Sequence, residues 1–243
     1  MKVLNTNDQS IPKLKILIHG ESGNGKTTLA GTVPGKCLVI SSEAGLLSLY
    51  GKDVDFIDLT KGDDNEVIPK EKRVGQLLKA YHYLLTPECI EKYEWVFIDS
   101  LTEISQNLME ALHKEFPERR DSLVMYGENA KRMRSIIKVF RDIPHYHVVF
   151  TALSTIEKDE NNKRFKGIDV VGKISNQLPA FFDEVFYMAL NKGKEGNTER
   201  FLVTASDRAI CKDRSGKLER YTLPCLSGVY NKIFQTTKEV KND

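Results

Sequence analysis

Gly20-Glu21-Ser22-Gly23-Asn24-Gly25-Lys26-Thr27 fits the pattern G-x-x-x-x-G-K-[ST], a loop suited to holding phosphates. Its glycines let the backbone curl so that N–H groups point at a polyphosphate, and a following helix adds about half a positive charge at the same place. Gly20 to Thr28 then form the binding segment, Lys26 reaches the β- and γ-phosphates, and the Thr27 hydroxyl joins a Mg²⁺ shell. ATP and Mg²⁺ are the expected ligands. The shell needs a carboxylate, and Asp99 supplies one at the end of the apolar run Trp95-Val96-Phe97-Ile98. Asp99 could alternatively cap a helix starting near Leu101, with Ser100 competing for that role.

Hydrolysis also needs a group to orient water. The residue after Asp99 is Ser100, so the base must come from the end of a neighbouring strand, where ligands of open α/β sheets bind. Glu43 fits, directly after Cys37-Leu38-Val39-Ile40-Ser41-Ser42; Glu103, one helical turn past Asp99, is a competitor.

These residues require an α/β scaffold. Short β-prone runs occur at 13–19, 38–42, 54–59, 94–99, 147–152, 184–190, 200–205 and 209–212. Between several of them lie helical periods, such as Val74, Leu77, Leu78, Tyr81, Leu84 and Leu85, and Ala130, Met133, Ile137 and Phe140. The alternation predicts a mostly parallel sheet with flanking helices, and the strand-rich stretch 184–225 an antiparallel C-terminal extension. Polar loops are expected at 61–65 and 159–163.

With 243 residues, one large domain over 13–235 is expected, flanked by an N-terminal segment 1–12 and a polar tail 236–243. The longest uninterrupted apolar run, Val185 to Leu190, falls far short of the roughly 18 residues of a membrane span. Cys37, Cys89, Cys211 and Cys225 form no CxxC pair, which argues against zinc, and the N-terminus lacks an apolar signal core; both predict a cytoplasmic protein. Lys+Arg minus Asp+Glu is 36 − 34 = +2, so any polyanion-binding surface must be local. His145 and His147 flank Tyr146 with no third ligand nearby and read as strand-start residues.

GESGNGKT, SSEAG and FIDS together resemble the RecA-like branch of P-loop ATPases, and in size and layout the chain is most similar to short phage-encoded RecA-like ATPases of single-strand annealing. The resemblance implies a RecA-like core, Mg²⁺-dependent ATP hydrolysis, single-stranded DNA as partner and a homo-oligomeric ring or filament. It also implies that Cys211-Lys212-Asp213-Arg214-Ser215-Gly216 corresponds to a K-x-R-x-G element that reaches a neighbour's nucleotide, with either Lys212 or Arg214 as the inserted cation. The polar stretch after His147–Ala152 would be a DNA-contacting loop using Lys158, Lys163, Arg164, Phe165 and Lys166, although its acids nearly cancel its cations and a solvated loop stays open. Thr151 and Ser154 stand where the family keeps a polar sensor, usually a side-chain amide. Lys131, Arg132, Arg134, Lys138 and Arg141 could face DNA or a subunit, or simply solvent. A RecA-fold motor, an ATP-gated DNA-binding module with vestigial hydrolysis and a small-molecule kinase are the alternatives.

Overall fold

A computed structural model describes residues 12–43, 45–119, 123–172, 174–192 and 197–234; the expected N-terminal segment, apart from Pro12, and the tail 236–243 lie outside them. In chain order the elements are β1 (Lys15–Gly20), β2 (Cys37–Ser41), β3 (Val54–Asp58), α1 (Lys70–Leu84), α2 (Pro87–Lys92), β4 (Trp95–Asp99), α3 (Leu101–Glu115) and α4 (Leu123–Arg141). Then follow β5 (His147–Lys158), β6 (Arg164–Ile168), β7 (Glu184–Lys192), β8 (Thr198–Val203), β9 (Lys212–Asp213), β10 (Tyr221–Thr222) and α5 (Leu226–Phe234).

Six strands in the order β7-β1-β5-β4-β2-β3 pair in parallel, and β8 and β10 continue the sheet beyond β7 in antiparallel fashion. This is the α/β arrangement that the alternating runs predict. Side chains alternate between two cores as the pleat requires. Leu17, Val96, Ile98, Val148 and Phe150 pack under α1, α3 and α4, with Leu84, Leu112 and Ile137. Ile16, Ile18, Trp95, Phe97 and Val149 face the other way, toward Leu29 and the α5 residues Leu226 and Val229. Burial on both faces explains why the central strands read as unbroken apolar runs rather than alternating ones.

Two local expectations change. The segment after the phosphate loop is a six-residue 3₁₀ turn, Thr27–Thr32, rather than an α-helix. Gly31 weakens its interior, and Val33, extended because Pro34 follows, ends it. The polar stretch after β5 is a hairpin: β5 runs on to Lys158 and pairs with β6 in register from Ser154↔Ile168 to Lys158↔Arg164. Residues 159–163 form its turn, in which the Asp159 carboxylate accepts from the Asn161 and Lys163 amides at 2.9 and 2.8 Å. His147 does start β5, stacked on Trp95 at 4.4 Å, and its Nδ1 accepts from the Leu14 amide at 3.0 Å.

The α4 cations are largely used internally. Arg132 holds Glu115 bidentately at 2.7 and 2.9 Å and Glu128 at 2.9 Å, Arg141 holds Asp142 at 2.7 Å, and Lys138 lies 5.6 Å from the Phe181 ring centroid. Among the described residues no helix is long and apolar enough to cross a membrane.

Glu184 opens β7 at 1% exposure, opposite Asp213, with one oxygen accepting from the Ser215 amide at 3.2 Å. Burial, reinforced by the Asp213 charge, pushes its pKa up to about 8 from 4.5. The native state therefore holds a proton that the unfolded chain releases near 4.5, so this residue's contribution to stability is full below 4.5 and is lost as pH rises through about 8. Glu184→Gln should raise the melting temperature at pH 8 by at least about 2 °C, with the gain vanishing below pH 5; thermal melts across that range check it.

Candidate phosphate-binding active site

β1 delivers Gly20 to the carboxyl edge of the sheet against β7, where a Cβ on Gly20 would sit 2.8 Å from the Met188 carbonyl oxygen. The loop then turns through Gly25 at φ +98°, a left-handed conformation that side chains resist. Asn24, only 3% exposed, donates its amide to the Met188 carbonyl at 2.7 Å, and Arg200 on β8 donates Nε to the Asn24 carbonyl at 3.1 Å. These two contacts brace the outer side of the loop on the sheet extension. Neither partner was legible in the motif, because both pairings span more than 160 residues.

Lys26 folds back to donate Nζ to the Gly20 and Glu21 carbonyls at 3.0 and 2.9 Å. Burial pulls its pKa down, while Asp99 and Glu43 draw it back up. The Thr27 hydroxyl donates to one Asp99 oxygen at 2.6 Å, and the Thr151 hydroxyl on β5 donates to the other. Thr151 therefore stands beside Asp99, while Ser154 lies farther along and bonds His19 Nδ1 at 2.8 Å.

β2 and β4 pair with Ser41 opposite Asp99, so Glu43 lands beside Ser100 and accepts from its hydroxyl. Partial burial raises the Glu43 pKa, the Ser100 bond opposes that rise, and Asp99 adds to it. Ser100, rather than Asp99, caps α3, accepting from the Glu103 amide at 3.4 Å. Glu103 is held by Lys70 at 3.3 Å and Arg73 at 3.6 Å, which leaves Glu43 as the acid next to Asp99. Lys26, Thr27, Glu43, Asp99 and Ser100 line one cleft of about 610 Å³, a size normal for ligand sites. With a 3₁₀ turn in place of a helix, phosphate recognition rests on the loop amides and Lys26 more than on aligned peptide dipoles.

The sequence matches the family described as AAA domain over residues 12–215. The chain belongs to this AAA domain family. The chain therefore carries an AAA-type P-loop ATPase domain on a RecA-like α/β core. No curated protein sequence matches the chain. A solved structure titled as an ATPase from the type III secretion system of pathogenic bacteria is similar at 14% identity and a TM-score of 0.46, over 73% of this chain and 52% of that one. The chain thus spans about half the length of that structure.

The other expected residues are placed elsewhere in this AAA domain. Lys212 donates Nζ to the Pro179 and Phe182 carbonyls at 2.8 and 2.7 Å, and Arg214 pairs with Asp183 at 2.6 Å. Lys212 pairs with Val185, which pairs with Leu17, so both cations lie near the opposite end of the strands from the phosphate loop. On the hairpin, Lys158 and Arg164 are exposed, Lys163 pairs with Asp207 at 2.7 Å, Phe165 is half-buried, and Lys166 pairs with Glu21 of the phosphate loop.

Asn24→Ala removes a buried donor and strands the Met188 carbonyl, which costs about 1–3 kcal/mol. The expected outcome is a lower melting temperature together with weaker nucleotide binding. Both can be read by thermal shift with and without MgATP.

Proposed function

We propose that the chain is a Mg²⁺-dependent ATPase that binds single-stranded DNA and acts as a homo-oligomer in recombination, by annealing or strand exchange. The observation that carries the hydrolytic part is the convergence of Lys26, Thr27, Asp99 and Glu43 on one cleft. A hydroxyl and a carboxylate in contact are hard oxygen ligands suited to Mg²⁺, so Thr27 and Asp99 would hold it; when bound it would neutralise charge on the phosphate oxygens. Lys26 exchanges its two carbonyl partners for phosphate oxygens. Glu43, oriented by Ser100, takes a proton from the water that attacks the γ-phosphorus, as the bond to the bridging oxygen breaks and ADP leaves with its electron pair. Its raised pKa moves it toward the working pH, which suits a base.

Support for a DNA partner is positional. The hairpin that carries Lys158, Lys163, Arg164, Phe165 and Lys166 projects from β5, the strand between β1 and β4, and touches the phosphate loop through Lys166 and Glu21. A change at the loop therefore has a direct route to the hairpin.

For assembly, the two cations of the K-x-R element differ. Lys212 satisfies two backbone carbonyls and would leave them bare if it moved. Arg214 is 56% exposed in a surface ion pair of the kind worth little, so it is the cation free to insert into a neighbouring protomer's site.

Phosphate release with and without single-stranded DNA, run beside sedimentation, tests the reading. DNA should accelerate turnover and shift sedimentation, Lys26→Ala should abolish turnover, and Glu43→Gln should lower it by about 10²-fold or more while nucleotide binding persists. Turnover and sedimentation both indifferent to DNA would sink the recombination reading, and wild-type turnover in Glu43→Gln would remove the assigned base.

A further inference from the structure

β7 and β8 are a wall with two faces. Met188 and Arg200 point into the nucleotide cleft, whereas Tyr187 and Val203, paired across the strands, point to the opposite face. On that face a second cleft of about 390 Å³ opens between the sheet extension and the β5–β6 hairpin. Its lining includes Ile156, Arg164, Phe165, Tyr187, Arg208 and Tyr221. Ile156 and Tyr221 are 61% and 55% exposed, unusual for such side chains standing together.

We propose that this cleft is a stacking site for an unpaired base of single-stranded DNA, with the flanking phosphates on Arg164 and Arg208. The proposal rests on the DNA-binding reading above and adds the site where bases are held. Phe165, Tyr187 and Tyr221 line the cleft, with the Arg220 guanidinium 5.5 Å from the Tyr221 ring centroid, and aromatic rings stack with any base, which is how single strands are bound without sequence readout. The charge fits the same occupant. Among the described residues Arg164 and Arg208 form no ion pair, and Asp207, the acid beside Arg208, is already paired with Lys163 at 2.7 Å. Two guanidiniums outside any ion pair among the described residues, lining the same cleft as the rings, favour a polyanion bearing planar rings over an apolar peptide.

The cleft is also tied to the nucleotide. Lys166, part of its lining, pairs with Glu21 of the phosphate loop. His19, immediately before that loop, donates Nε2–H to the Ile210 carbonyl at 2.7 Å, accepts from Ser154 at the base of the hairpin, and lies 5.4 Å from the Tyr187 ring.

The test uses the full chain with Mg²⁺ and a non-hydrolysable ATP analogue, titrated into a single-stranded oligonucleotide carrying 2-aminopurine, whose fluorescence falls on stacking. Wild type should quench it. Tyr221→Ala should lose the quench and bind about tenfold more weakly, Tyr221→Trp should restore both, and Arg208→Ala should lower the slope of log affinity against log salt by about one. Because Tyr221 and Arg208 are exposed, these variants probe binding rather than folding. If wild type binds the oligonucleotide while Tyr221→Ala and Arg208→Ala match it, the stacking site is wrong and the DNA reading stands. If wild type binds no oligonucleotide, the DNA reading itself falls. If Tyr221→Ala instead changes sedimentation without DNA, the cleft is a contact between copies of the chain and the inference is overturned.

Discussion

Asp99 fixes the geometry on which everything else depends. Its carboxylate, 7% exposed, takes the Thr27 hydroxyl on one oxygen and the Thr151 hydroxyl on the other, while its backbone carbonyl accepts from the Ser42 amide at 2.6 Å and the Ser42 hydroxyl at 2.9 Å. One residue thus joins the carboxyl ends of β1, β5, β4 and β2, neighbouring strands of the parallel sheet. A carboxylate at that depth is tolerable only when its lone pairs are satisfied and a cation lies near, and here the cation is Lys26. The same arrangement that meets the cost of burying Asp99 brings the phosphate loop and Glu43 to one cleft.

A second dependence runs the other way from the loop, into the antiparallel extension. Met188 on β7 and Arg200 on β8 brace the loop through Asn24, so the extension supports the candidate site although it lies beyond the parallel core. Its far face forms the second cleft, and His19 joins the loop to the hairpin. Burial, only partly offset by the bond to the Ile210 carbonyl, lowers the His19 pKa to about 4. The imidazole is then neutral at ordinary pH, with one nitrogen donating and the other accepting. Protonation therefore does not break that link at ordinary pH.

Features set by contiguous residues were legible in the sequence. The loop motif placed Lys26 and Thr27, the apolar run placed Asp99 at a strand end, and the position of Glu43 after β2 sufficed to predict its neighbourhood, because parallel pairing in register does the rest. Features set by distant pairing were not. Nothing near Arg200 signals that it meets Asn24, and nothing near Lys212 signals the Pro179 and Phe182 carbonyls that hold it. The hairpin was hidden for another reason: only its base meets the core, with Ile168 buried while Ile156, Lys158 and Arg164 are exposed, so it lacks the apolar alternation that marks a strand against a core. The turn 159–163 was readable because Asp159 and Asn162 carry its chemistry themselves.

The net charge of +2 takes on a different meaning once the ion pairs are known. Much of the basic residue supply serves the fold: Arg132 and Arg141 on α4, Lys163 and Lys166 on the hairpin, Lys212 on the Pro179 and Phe182 carbonyls. At the hairpin and the second cleft, Lys158, Arg164 and Arg208 are the cations without an ion pair among the described residues, and each phosphate neutralised contributes about 0.9 to the salt slope. Under the proposed function a single protomer would hold a strand through only a handful of phosphate contacts, and its affinity would have to come from stacking and from repetition along the strand. Repetition multiplies weak contacts without new chemistry, since a second bound protomer sees the same strand at high effective concentration. On that reading, sparse charge and exposed aromatic rings would serve one requirement: a weak grip by each protomer, made adequate by assembly.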